Sequence, residues 1–114
     1  MACAVKNTDG WMPCFEVILS TGTTRSCAQL HGELDLSTAP RLERLLDELY
    51  RDGYRQITLD MSGLEFLGAS ALSVFVRFDR ALRAAGGELV LARPSRMASR
   101  ILSITGLDAT LTIQ

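Results

Sequence analysis

Short apolar runs alternate with longer stretches in which leucine recurs at helical spacing. Phe15-Glu16-Val17-Ile18-Leu19 is a β-branched run and predicts a strand. Gly22 and its hydroxyl-bearing neighbours at 20–24 predict a turn. Cys27, Ala28, Leu30, Gly32 and Leu34 then alternate loosely, which predicts a second strand hairpin-paired with the first. Leu42, Leu45, Leu46 and Leu49 follow at i, i+3, i+4 and i+7, one stripe of a helix. Ser37 or Thr38 is placed to cap it, Pro40 suits its first turn, and Gly53 is placed to end it.

The second half repeats this rhythm. Gln56-Ile57-Thr58-Leu59-Asp60-Met61 predicts a buried strand, broken by Ser62-Gly63. A helix begins around Ser70 and runs to about Ala85, apolar through Leu72, Val74, Phe75, Val76, Phe78 and Leu82. Its polar side is Arg77, Asp79, Arg80 and Arg83, and Gly86-Gly87 ends it. Glu88-Leu89-Val90-Leu91-Ala92 predicts another strand. Pro94-Ser95 announces a third helix, with Met97, Ile101 and Ile104 on one side and Gly106 as its stop. Thr110-Leu111-Thr112-Ile113 is a last short strand.

The order β-β-α-β-α-β-α-β predicts an α/β fold. It consists of a mixed, mostly parallel sheet of about five strands, three helices and right-handed crossovers. Residues 1–12 are expected to form a flexible N-terminal segment and 13–114 the domain. A length of 114 residues fits one domain with an adequate core.

Charge narrows the class of partner. The net charge of −1 provides no global field toward nucleic acid or anionic lipid. The arginines at 77, 80 and 83 and at 93, 96 and 100 read as solvated helix faces. The sharper alternative is a surface for an anionic partner. Cys3, Cys14 and Cys27 include no C-x-x-C pair, and His31 is the single histidine, so no metal site is expected. Free thiols in a reducing cytoplasm are the expectation. No apolar run reaches membrane-spanning length, and residues 1–10 lack the apolar segment of a signal peptide.

Candidate chemistry lies where strands give way to helices. Gly68-Ala69-Ser70-Ala71 weakly resembles the G-x-S-x-G nucleophile elbow. Leu72 replaces the second glycine, and His31 precedes the serine where that class places it after. The chain is therefore read as a binding module and not as an enzyme. No phosphate-cradling loop is visible, and no cofactor is expected. A serine at a helix start ordinarily caps it. The functional alternative for Ser70 is phosphorylation, which the N–H groups and dipole of a helix start tolerate. Phosphate adds roughly −1.5 to −2 charge and turns a docking surface against its partner.

Gly32-Glu33-Leu34-Asp35, the run Leu59-Asp60-Met61-Ser62-Gly63-Leu64-Glu65-Phe66, and Ser70-Ala71-Leu72 resemble the STAS domain. That family is shared by bacterial anti-sigma factor antagonists and the cytoplasmic tails of sulfate transporters. The resemblance covers residues 15–113. It implies a cytoplasmic antagonist that binds an anti-sigma factor with a serine-kinase fold and so regulates sigma-factor-dependent transcription. It also implies phosphorylation of a serine at the start of the second helix. The family loop typically reads Asp-Ser-Ser-Gly-Leu. Ser70 matches the modified serine and Leu72 the leucine, whereas Gly68, Ala69 and Ala71 stand for Asp, Ser and Gly. The expected partner-binding residues are Asp35, Asp60, Gly68, Ala69, Ser70, Ala71 and Leu72. Asp60 is read equally as a turn or capping residue. No direct nucleic-acid binding and no membrane insertion are expected, and the chain is expected to be a monomer or weak homodimer. The alternative is a phosphorylation-independent STAS adaptor subunit of a lipid-transport ABC complex or a stress-signalling assembly.

Overall fold

The computed structural model describes residues 2–6, as a strand, and residues 15–114. Among the described residues six strands form one sheet whose spatial order follows the chain. They are β1 (Ala2–Lys6), β2 (Phe15–Thr21), β3 (Arg25–Leu34), β4 (Gln56–Leu67), β5 (Glu88–Ala92) and β6 (Thr112–Ile113). β1, β2 and β3 pair antiparallel, and β3 through β6 pair parallel. The mixed, mostly parallel sheet is the one expected, with a sixth strand added at its antiparallel edge. That strand lies within the segment expected to be loose. Met1 and residues 7–14 lie outside the described residues, as do the Cys3 and Cys14 side chains.

Three helices connect the parallel strands: α1 (Ala39–Arg51), α2 (Ala69–Ala84) and α3 (Arg96–Ile104). Leu42, Leu46 and Leu49 of α1 are buried, which confirms the leucine stripe. Val17, Ala28, Leu30, Ile57, Leu59, Met61, Leu89 and Leu91 supply the sheet side of the core. Between them on the strands, Ile18, Cys27, Gln29 and Thr58 are half-buried or exposed, so one sheet face carries most of the apolar burial. α1 and α2 lie side by side, and α3 packs against β4.

Four elements differ from the sequence expectation. β4 does not stop at Ser62-Gly63 but continues to Leu67. The pairing with β3 slips between Gln29 and His31 and again between Gly32 and Glu33, and the strand absorbs the irregularity. Gly32 takes φ 97° at the second slip. A Cβ on Gly63 would stand 2.2 Å from His31 Nδ1, so only glycine lets the strands approach there.

On α2, Asp79 is buried, where a solvent-facing residue was expected. The Arg83 Nε–H donates to both its carboxylate oxygens at 3.0 Å, and Arg83 also donates to the Thr112 hydroxyl on β6. On α3, the inward residues are Ala98 and Leu102, while Met97 and Ile101 are half-buried and Ile104 is exposed. The last strand is confined to Thr112–Ile113, because a short 3₁₀ turn at Leu107–Ala109 precedes it.

Candidate functional site

β3 and β4 end together, with Leu34 paired to Leu67. Each then turns directly toward a helix. The Gly68 N–H donates to the Leu34 carbonyl at 2.7 Å, which ties the start of α2 to the end of β3. A Cβ on Gly68 would lie 3.6 Å from the Asp35 Cα. The structure thus brings Asp35 beside the loop that carries Ser70, at the carboxyl ends of two parallel strands.

Asp35 organises the entry to α1. Its Oδ1 accepts from the Ser37 N–H at 2.9 Å, the Ser37 hydroxyl at 2.7 Å and the Thr38 N–H at 3.1 Å. Thr38 is the N-cap by position, but its hydroxyl donates to the Glu33 carbonyl at 2.7 Å. Asp35 therefore closes an Asx-type turn just before the helix, and neither Ser37 nor Thr38 caps the first turn of α1 with its side chain as expected. The Ser37 hydroxyl is the main cause holding the Asp35 carboxyl below its ordinary value. Burial opposes this, and the Ser37 and Thr38 N–H groups assist it. None of these donors uses Oδ2, which leaves one carboxylate oxygen outside the turn.

α2 begins at Ala69, with Gly68 in extended geometry as its N-cap and no side chain accepting from the first turn. Ser70 is therefore not the cap; it is the second helical residue, and it is half-buried. Ala69 is exposed, whereas Ala71 and Leu72 turn toward the core. Of the residues expected to meet a partner, Asp35, Gly68, Ala69 and Ser70 reach the surface together. Ala71 is buried completely, because the third helical position faces inward. Leu72 is buried too, with an edge on a shallow groove beside Leu107.

A groove of about 290 Å³ runs between the first turns of α1 and α2. Leu36, Pro40, Glu43, Ser70, Ser73 and Arg77 line it. Arg77 donates to the Glu43 carboxylate at 2.7 Å and so bridges the two helices. Leu36 is 82% exposed and Phe66, at the end of β4, is 47% exposed. These large apolar side chains flank the loop on a surface where water would ordinarily select polar residues. The sequence reading did not single out Leu36, Phe66 or Glu43 as site residues, and it offered Arg77 only as part of an alternative arginine surface. Its one available signal was an apolar residue lodged between Asp35 and the hydroxyls of Ser37 and Thr38, where a helix entry is normally polar.

Asp60 lies elsewhere. It pairs with Gln29 and Ala92 in the middle of β4, seven residues before the strand ends, or on the order of 20 Å at strand rise. It is 4% exposed. Its Oδ1 accepts from the Ser62 N–H at 3.0 Å and the Ser62 hydroxyl at 2.8 Å, and Oδ2 pairs with Arg93. Burial pushes the carboxyl up. The Ser62 N–H, the Arg93 guanidinium and the Ser62 hydroxyl outweigh it, and the net direction is below the ordinary value. Arg93 reaches this pair from just after β5 with a left-handed φ of 50°. The nearby Cys27 thiol is pushed up by burial and by the Asp60 charge. The Asx-type turn reading of Asp60 is the one that fits, and the structure does not bring it to Ser70.

The family model for the STAS domain matches residues 20–114. The chain belongs to the STAS domain family. An anti-sigma-B factor antagonist of Staphylococcus aureus is 34% identical over 76 residues, 67% of this STAS chain and 70% of the relative. Among solved structures, an anti-sigma factor antagonist from Mycobacterium paratuberculosis superposes with a TM-score of 0.77. The identity there is 25%, covering 85% of this chain and 82% of the other. The unphosphorylated form of the anti-sigma factor antagonist SpoIIAA superposes with a TM-score of 0.75 at 20% identity, over 86% and 87% of the two chains. This last likeness is one of fold. No helix among the described residues is long and apolar enough to cross a membrane.

Proposed function

We propose that this STAS domain is a cytoplasmic anti-sigma factor antagonist. It binds an anti-sigma factor with a serine-kinase fold through the surface centred on Ser70 and thereby regulates sigma-factor-dependent transcription. One observation carries the reading. Exposed Leu36 lines the groove that holds half-buried Ser70, and exposed Phe66 stands against Gly68 beside it. Large exposed apolar side chains grouped beside a small hydroxyl suit a protein partner. It is also a surface that a phosphate would spoil, because docking would strip water from the dianion. Asp35, Gly68 and Ala69 belong to the same contact, and the domain acts as a monomer or weak homodimer.

The test is titration calorimetry with the anti-sigma factor encoded in the same genome. Ser70→Ala is expected to bind as the unmodified protein does. Ser70→Asp is expected to bind at least tenfold more weakly, a loss of about 1.4 kcal/mol. Equal affinity for Ser70→Asp and wild type sinks the switch, and binding by none of the three sinks the antagonist reading itself.

A second reading is favoured by Gly68 and Ala69, which leave α2 without a side-chain cap and Ser70 without a neighbouring hydroxyl. It is a phosphorylation-independent adaptor subunit in a lipid-transport ABC complex or a stress-signalling assembly. Mass spectrometry of Ser70 in protein from its native cell separates the two, since the adaptor carries no phosphate there.

A further inference from the structure

We propose that Arg77 reads the phosphorylation state of Ser70 by exchanging Glu43 for the phosphoryl group. This rests on the reading of Ser70 as the modified residue and adds what the modification does to the rest of the site. Ser70, Glu43 and Arg77 line one groove, and among the described residues Arg77 is the only basic side chain lining it. Seven residues separate Ser70 from Arg77, which is close to two full turns and sets both on one face of α2. The axial separation is about 10 Å, and helical side chains lean toward the N-terminus. The long arginine side chain therefore leans along the groove toward Ser70.

The present partner of Arg77 is easily given up. The Arg77–Glu43 pair is open to water, with side chains 58% and 45% exposed, and exposed pairs of this kind contribute little. A phosphoserine offers three acceptor oxygens and nearly twice the charge of a carboxylate. A guanidinium matches phosphate with two parallel N–H donors, a stronger arrangement than one contact to a solvated carboxylate. Transfer of Arg77 leaves Glu43 on α1 without its countercharge and removes the bridge between α1 and α2. The α1 side of the docking surface, at Leu36 and Pro40, then faces an unpaired carboxylate. Phosphate at one residue thus alters both walls of the groove with no bond made or broken in the backbone.

The test installs phosphoserine at position 70 by genetic encoding, so no kinase is needed, and follows its second ionisation by phosphorus NMR. The charged groups facing it are Glu43 and Arg77 in the groove and Asp35 beside Gly68. Of these charged groups Arg77 favours the dianion, so Arg77→Gln is expected to raise the phosphate pKa by about half a unit. Glu43→Gln is expected to lower it, and Arg80→Gln, outside the groove, to leave it unmoved. An unchanged value in Arg77→Gln, or an equal shift in Arg80→Gln, overturns the proposal. Should the phosphoserine protein not fold, the Arg77 Nε–H resonance is compared in Ser70→Glu and Ser70→Gln; a shift specific to Ser70→Glu supports the exchange and its absence overturns it. Absence of phosphate on Ser70 in the native cell is a separate result. It refutes the phosphoswitch, while the installed phosphate still measures the pairing.

Discussion

Two stretches of this chain carry the same local device to opposite ends. In Asp35-Leu36-Ser37 and in Asp60-Met61-Ser62, an aspartate Oδ1 accepts from both the N–H and the hydroxyl of a serine two residues on. The residue between them decides the outcome. Leu36 is 82% exposed, whereas Met61 is completely buried. Asp35 stands at a strand end and keeps Oδ2 outside its turn, whereas Asp60 stands in mid-strand with Oδ2 taken by Arg93. The first Asp-x-Ser therefore presents a surface, and the second pins a strand irregularity to the end of β5. Identical hydrogen-bond chemistry is no guide to function until the intervening side chain and the free lone pairs are known.

The sharpest way to break this comparison is to truncate the two middle residues. Met61→Ala removes a fully buried side chain and is expected to cost about 3 kcal/mol in denaturant unfolding. Leu36→Ala should change stability by less than about 0.5 kcal/mol, because no buried contact is lost. It should instead weaken anti-sigma factor binding by roughly tenfold. If Leu36→Ala unfolds the domain, or leaves binding untouched, the contrast fails.

Next in size is the carboxylate of Asp60. Asp60→Ala strands the Ser62 N–H and releases Arg93 from the contact that its left-handed backbone supports. The expected cost is about 2 kcal/mol, read by chemical denaturation. Both aspartates have folded pKa values below the unfolded one, near 3.9. The stability each contributes is fully present above that value and is lost as pH falls through the folded pKa. The stability gap between wild type and Asp60→Asn should therefore be constant at neutral pH and close on acidification below about pH 4. A gap that widens on acidification contradicts the assignment.

The smallest expected effect is at Gly68. Gly68→Asp places an acceptor at the N-cap of α2 and should gain a few tenths of a kcal/mol. Its Cβ meets the Phe66 ring edge at 3.3 Å, so that ring must yield slightly. A thermal melt that falls by several degrees shows that the ring cannot move and that the glycine is required by space.

Much of this was legible in the sequence. The α1 leucines announced their helix because three of the four point inward at helical spacing. Asp35 and Ser70 were expected together because strand ends on a parallel sheet converge. The length of β4 was not legible. Ser62-Gly63 is ordinary turn chemistry, and only the approach of His31 to Gly63 shows why a strand passes through it. Asp79 was hidden for a related reason. Its burial depends on Arg83 one turn on and on Thr112 from the last strand, and no local pattern contains both. Of the two readings of Ser70, the cap fails because Gly68, without a side chain, occupies that place.

The sheet order β1 to β6 repeats the order of the chain. Each strand emerging from a ribosome therefore finds its pairing edge already synthesised, and none waits for a later segment to be inserted beside it. Each parallel pairing still closes over a whole helical connection, so it is the order of addition at one edge, and not short sequence separation, that limits how long an edge stays unpaired.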